Sequence, residues 1–288
     1  MVDPPVHKFG TLVLGGGGAK GLGILGSLAY FHSLDLLDPK RISGTSIGSV
    51  IAVLIGLRIS PEEIFRVAST MEAPLRGGKN LANFPRRFGV WSLTKSLAPF
   101  YAYLLAEFGE SPTFAEYFER TGVHLKITAS SVDRLQCVYF DYLVYPNVKV
   151  FDAVRASCCL PGIFKSVKIN GEYYVDGGFV KNFPLDAWGP EVPNEDILAI
   201  AVSGFPPLER VKTVWQYFSR LAALFIMSHV RSAVNSRPGS TIIEIVLSDI
   251  PLIPTFVPKS KKKEAYLKGW AEAETRHSKK VFTLEEAL

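Results

Sequence analysis

The sequence predicts an α/β fold built on a mostly parallel sheet, and three observations point to it. Over residues 9–57 an apolar strand, a helix-like segment, a short second strand and a second helix-like segment follow one another. That rhythm sets parallel strands side by side with helices on the sheet faces. The first strand runs into Gly15-Gly16-Gly17-Gly18-Ala19-Lys20-Gly21, and the second into Gly44-Thr45-Ser46-Ile47-Gly48. Both tight turns then fall at the carboxyl ends of the strands, where open α/β sheets place their ligands.

Length and composition agree with an ordinary globular protein. At 288 residues, 48% hydrophobic and 20% charged, the chain can bury a full core and is not a disordered polymer. A single domain over residues 1–288 is expected. Met1–Lys8 has no apolar run of the secretory-signal kind, and no stretch of about 20 apolar residues spans a bilayer. The cysteines are Cys137, Cys158 and Cys159, an odd number with two adjacent, which suits a reducing compartment and lacks metal-ligand spacing. An intracellular, cytoplasmic protein with peripheral membrane contact is the expectation.

The first strand is Phe9–Leu14, followed by a helix over 19–34 with Leu22, Leu25, Leu28 and Ala29 near helical spacing. Four consecutive glycines leave backbone N–H groups without Cβ cover, able to point at one anionic oxygen. A helix starting near Ala19 adds its N-terminal dipole there. Gly16–Gly21 also spells the dinucleotide fingerprint, but that reading needs an acidic residue ending the second strand. Asp35 and Asp38 come too early, and the strand over about 41–44 ends in Gly44-Thr45-Ser46. Gly44–Gly48 fits the G-x-S-x-G elbow, which exposes a serine on a strand-to-helix turn with small residues at −2 and +2. Ser49–Leu57 is an apolar run suited to a buried helix. Ser60-Pro61-Glu62-Glu63 starts the next helix, with Ser60 as cap and Glu63 closing a capping box.

Residues 74–110 break the rhythm with Pro74, Gly77, Gly78, Pro85, Gly89 and Pro99, and read as a cap or lid. No Asp or Glu occurs between Ala73 and Ala106, whereas Arg76, Lys79, Arg86, Arg87 and Lys95 all fall there. Residues 259–280 hold eight basic residues against three acidic ones, with Tyr266 and Trp270 among them. Basic side chains beside aromatics, over 76–103 and 259–280, suit docking to an anionic lipid surface. No nucleic-acid motif accompanies the net charge of +5.

Strands are expected at 124–131 and 136–140, and a short helix near 151–158. A hairpin turning at Asn170-Gly171 returns through Glu172–Val175 to Asp176-Gly177-Gly178. A buried strand at 195–202, an amphipathic helix over 209–234, a last strand at 241–247 and a polar helix over 260–275 complete the chain.

The glycine loop, the elbow, Asp176-Gly177-Gly178 and the segment Ala156–Phe164 together resemble the patatin-like phospholipase family over residues 9–190. The tail from 205 to 288 resembles it only loosely. The resemblance implies a three-layer α/β/α fold with a mostly parallel central sheet and a nucleophile elbow. It also implies a Ser-Asp dyad, carried onto Ser46 and Asp176. Gly16, Gly17, Gly18 and Ile47 would then offer the oxyanion hole. Gly15, Lys20, Gly21, Gly44, Gly48, Gly177 and Gly178 complete the motifs, with Lys20 open to structural pairing or to phosphate contact. A Ser-His-Asp triad needs one of His7, His32, His124, His229 or His277, each of which reads as a surface or structural histidine. The expected function is release of fatty acids from phospholipids or related lipids, without metal or cofactor. A general lipase, a thioesterase or an inactive lipid-binding module on the same fold are the alternatives.

Overall fold

The structure, a computed structural model, describes residues 7–70, 88–204, 236–250 and 257–285, with isolated positions between 210 and 224. In chain order the strands are β1 (Phe9–Leu14), β2 (Leu37–Thr45), β3 (Gly89–Trp91), β4 (His124–Ser131), β5 (Gln136–Phe140), β6 (Gly162–Phe164), β7 (Val167–Ile169), β8 (Glu172–Asp176), β9 (Ile197–Ser203) and β10 (Thr241–Val246). The principal helices are α1 (Gly21–Ser33), α2 (Ile47–Gly56), α3 (Pro61–Thr70), α4 (Ala98–Phe108), α5 (Phe114–Thr121), α6 (Val150–Ser157) and α7 (Lys259–Glu285).

The main sheet has the order β10-β9-β1-β2-β4-β8-β7, with β5 on the other edge of β4. Pairing is parallel from β10 to β4 and antiparallel where β5, β7 and β8 join. Buried parallel strands read as unbroken apolar runs, and β9 is buried at every residue. Leu12, Leu14, Leu198, Ile200 and Val202 point into the larger core, shared with α1, α2 and α7. Apart from Ile47, α2 is buried throughout, as its apolar composition on every side requires.

Among the described residues the opposite sheet face is covered by the segment around Phe183–Val192. Val13, Ile197, Ala199 and Ala201 meet Phe183, Leu185, Trp188 and Val192. Pro184, Gly189 and Pro190 keep this covering segment from forming a long helix, leaving a single 3-10 turn at Leu185–Ala187. The helix expected over 209–234 lies mostly outside the described residues.

Two expectations change here. The part of the expected cap that is described packs into the body. Phe100 and Leu104 of α4 are buried, and the rings of Phe100 and Tyr101 lie against Phe151 of α6 at 6.1 and 4.5 Å. Residues 74–87 lie outside the described residues. In α7, which runs ten residues beyond its expected end, Tyr266 and Trp270 face inward rather than toward a lipid surface. Their rings meet Phe65 and Tyr30 at 4.3 and 5.6 Å. Helix α7 packs so closely on α1 that the Ser27 hydroxyl donates to the Gly269 carbonyl at 2.7 Å. The sequence reads this segment as a polar helix; the fold covers its Tyr266 and Trp270 side with α1 and α3. Among the described residues no helix is long and apolar enough to cross a membrane.

At α3 the Glu63 amide donates to Ser60 Oγ at 3.2 Å, while the Glu63 carboxylate accepts from the Tyr103 hydroxyl. A reciprocal capping box forms instead at Thr113 and Glu116, the start of α5.

Candidate active site

Ser46 is the single residue between the end of β2 and the start of α2, and its backbone stands at φ 52°, ψ −125°. A side-chain-bearing residue at positive φ is strained by roughly 1–2 kcal/mol, so the surroundings must hold it. Its N–H donates to Ser157 Oγ at 2.8 Å, and its carbonyl accepts from the Ser49 amide and hydroxyl at 2.8 and 2.6 Å. The elbow glycines are required by contact. A Cβ at Gly44 would stand 2.4 Å from the Gly48 carbonyl oxygen, and one at Gly48 would stand 2.4 Å from that of Leu14.

Strand β4 is the template that brings Asp176 to Ser46. Residues 127–131 pair with β5 on one edge, so β2 and β8 share the other. Along that edge Thr45 sits opposite Thr128 and Asp176 opposite Ala129, consecutive residues of β4. The end of β8 thus meets the end of β2, and Ser46 Oγ donates to Asp176 Oδ2 at 2.8 Å across 130 positions of sequence. The other carboxylate oxygen, Oδ1, accepts from the Gly178 amide at 2.8 Å. Backbone bonds fix the same residue: its N–H donates to the Cys159 carbonyl at 2.8 Å, and its carbonyl accepts from Ser130 Oγ at 2.9 Å.

Asp176 is only 4% exposed. Burial pushes its carboxyl up from 3.8 to about 7, against the lowering effect of the Gly178 amide and the Ser46 hydroxyl. A carboxylate with this value is charged about half the time at neutral pH and can take up a proton there. Burial and the neighbouring Asp176 also raise the thiols of Cys158 and Cys159, the latter to about 12, which makes them inert.

The glycine loop divides its amides between two uses. The Gly15 amide donates to the Ile200 carbonyl at 2.9 Å. The Gly16 amide, expected among the oxyanion donors, donates to the Asn182 carbonyl at 3.0 Å instead. The Asn182 side chain returns the bond by donating to the Gly16 carbonyl at 3.3 Å. Gly16 still lies against the serine, since a Cβ there would be 3.2 Å from Ser46 Cβ. Gly17 and Gly18 open the 3-10 turn Gly18–Lys20 that leads into α1, and their amides have no hydrogen-bond partner among the described residues. The Ile47 amide, at the first position of α2, has none either. Lys20 is 1% exposed and donates to the Gly204 carbonyl, a structural pairing. Burial and nearby Arg220 lower its amine to about 8.

Gly177 and Gly178 turn the chain after Asp176, and a Cβ at Gly177 would be 2.4 Å from the Thr128 carbonyl oxygen. The described histidines have other neighbours. His7 bonds the Glu195 carbonyl, His32 faces Glu62, His124 faces Asp141 and His277 bonds Tyr30. His229 lies outside the described residues. Ser157 and Asn182 are the site residues that the sequence reading did not single out. Each sits within or just after one of the motifs, but a buried serine or asparagine carries no local signature.

The family model described as patatin-like phospholipase matches residues 12–187. A probable lipid hydrolase of Invertebrate iridescent virus 6 is 30% identical over 192 residues, 64% of this chain and 64% of its own length. Triacylglycerol lipase 4 of Saccharomyces cerevisiae is 36% identical over 170 residues, 54% of this chain but only 18% of its own. The crystal structure of VipD from Legionella pneumophila shares the fold, with a TM-score of 0.57 at 15% identity over 94% of this chain and 67% of that one. The chain therefore spans about two thirds or less of the curated relatives it matches here.

Proposed function

Because this chain belongs to the patatin-like phospholipase family, we propose that it hydrolyses acyl esters of lipids with Ser46 as nucleophile and Asp176 as its base. The observation that carries this reading is the 2.8 Å hydrogen bond from the serine hydroxyl to a buried carboxylate. As Ser46 Oγ attacks the ester carbonyl, its proton passes to Asp176 Oδ2, while the Gly178 amide keeps the carboxylate oriented. The amides of Gly17, Gly18 and Ile47 hold the oxyanion; such donors are typically worth about 10²–10³ in rate each. Gly16 is not among them, and supports the loop through Asn182. Asp176 then protonates the leaving alkoxide. It next takes a proton from water, which attacks the acyl-serine, and returns that proton to Ser46 Oγ as the fatty acid leaves.

The family and the relatives named lipid hydrolase and triacylglycerol lipase support a lipid ester as substrate, with phospholipids as the first choice. The test is fatty-acid release from phosphatidylcholine vesicles, triacylglycerol emulsion and acyl-CoA, by the wild-type chain and by Ser46→Ala. The wild type is expected to release fatty acid and Ser46→Ala none. Release by Ser46→Ala at the wild-type rate would remove the serine from the mechanism. A second prediction concerns pH. The base must be ionised, so kcat/KM should rise with pH along a limb centred near 7, set by the Asp176 carboxyl. A limb centred near 4 would mean that the base is an ordinary exposed carboxylate.

A further inference from the structure

We propose that Asn182 is a positioning residue that holds the Gly16–Gly17 peptide in the orientation offering the Gly17 amide to an oxyanion, which deepens the hydrolase reading and rests on it. Both polar groups of the Gly16 backbone are tied to this one residue. The Gly16 amide donates to the Asn182 carbonyl at 3.0 Å, and Asn182 Nδ2 donates to the Gly16 carbonyl at 3.3 Å. The second bond matters most, because the Gly16 carbonyl and the Gly17 N–H belong to the same peptide plane. In a planar trans peptide the two point in opposite directions. A donor on the Gly16 oxygen therefore fixes where the Gly17 hydrogen points, without touching it.

The loop needs such a tether. A peptide plane turns over by changing ψ of the residue before it and φ of the residue after it. Here both residues are glycines, which populate both signs of φ. Turned over, the plane would put the Gly16 oxygen, an acceptor, where the Gly17 N–H now offers a donor. An oxyanion would then meet a carbonyl oxygen. A glycine run that bares its amides can hide them as easily, and a neighbour has to choose between the two states.

Asn182 is placed to choose. It is 1% exposed and directly follows the helical turn Gly178–Lys181, which begins at the Asp176 motif. The Val180 and Lys181 amides donate to the Gly177 carbonyl at 3.2 and 2.8 Å, and the Lys181 carbonyl accepts from Thr45 Oγ1 at 3.1 Å. The residue before Ser46 thus pins the residue before Asn182. Two glycines make room for the side chain: a Cβ at Gly16 would stand 2.5 Å from Asn182 Oδ1, and one at Gly178 would stand 2.9 Å from it. That same Gly178 Cβ would stand 3.0 Å from Asp176 Oδ1. One side chain therefore lies against both the turn that carries the base and the glycine loop. An amide suits the place, because it supplies a donor and adds no like charge beside Asp176.

The test compares wild type, Asn182→Ala and Asn182→Asp on a water-soluble short-chain ester and on its thionoester, in which sulfur replaces the carbonyl oxygen. Sulfur is a weak acceptor, so amides placed for an oxyanion do little for it. Rates are read on the alkaline plateau, because a carboxylate at position 182 would push the Asp176 carboxyl higher. On the ester both variants should lose about 10²-fold in kcat with KM unchanged. The ester-to-thionoester rate ratio should fall by about tenfold or more. Asn182→Asp keeps the shape of the side chain, so a loss shared by both variants is not a cavity effect. NMR of the glycine-labelled chain supplies a readout that needs no substrate. The Gly17 amide resonance should shift or broaden in both variants, while that of Gly122, at the cap of α5, stays in place. Ester and thionoester rates that fall by the same factor would overturn the proposal, since they would mean a displaced serine rather than a turned peptide. An unchanged ester rate or an unmoved Gly17 resonance would overturn it as well. Should the wild type cleave neither ester, the hydrolase reading fails, while the Gly17 resonance still decides whether Asn182 sets the peptide.

Discussion

Asp176→Asn is expected to lower ester hydrolysis by about 10⁴-fold or more, with little change in KM. The substitution keeps the shape of the side chain, and an amide oxygen in the place of Oδ1 can still accept from the Gly178 N–H. What it removes is the oxygen that takes the Ser46 proton. The same change should make the folded chain more stable above pH 7. In the unfolded chain this carboxyl ionises near 3.8, whereas burial holds it protonated to about 7 in the fold. Between those values the unfolded state loses its proton first, so the wild type loses stability as pH rises through the window. Asparagine carries no such penalty. Thermal melts should therefore show Asp176→Asn gaining on the wild type from pH 4 to pH 7 and staying ahead above it. A variant that is inactive and less stable at pH 8 would indicate lost packing rather than a lost base.

Gly48→Ala should be nearly as damaging, by a different route. The new methyl would stand 2.4 Å from the carbonyl oxygen of Leu14 and 2.6 Å from that of Gly15, both backbone atoms at the end of a central strand. Relieving that contact must move α2 or β1, and overpacking of this kind costs about 1–3 kcal/mol. Ser46 leads directly into α2, so the shift reaches its hydroxyl, and a displacement near 1 Å costs about 10²-fold in rate. Denaturant melts and kcat should both fall. Gly122→Ala is the control. It lies at the left-handed cap of α5 with open space around it, so it should be destabilised by about 1 kcal/mol through strain alone and keep its kcat.

The β1-α1-β2-α2 order, the β7-β8 hairpin and the position of Asp176 at a strand end were legible because each is written locally. Apolar runs, tight-turn glycines and Asn170-Gly171 carry them without reference to distant residues. Contacts between distant segments were not legible. Ser157 reaches the Ser46 amide across 111 positions, and Asn182 reaches Gly16 across 166. Nothing in a lone serine or asparagine announces that it will be buried against a strained turn. The same limit explains Gly16: bare amides promise donors, but which of them the fold engages depends on the chain that packs beside them. In α7 the basic residues beside Tyr266 and Trp270 suited a lipid surface, whereas in the fold that side of the helix packs on α1, with Ser27 against Gly269. The short covering segment around Phe183–Val192 follows from Pro184 and Pro190, whose effect on helix formation is local, although the sheet face it meets is not.

Direct proton transfer from Ser46 to Asp176 is tested most plainly by labelling the chain with a fluorophosphonate across a pH series. The label should appear on Ser46 alone, at a rate that climbs through about pH 7, and should be nearly absent from Asp176→Asn. Labelling of Asp176→Asn at the wild-type rate, or attachment to a residue other than Ser46, would contradict the assignment of these two side chains.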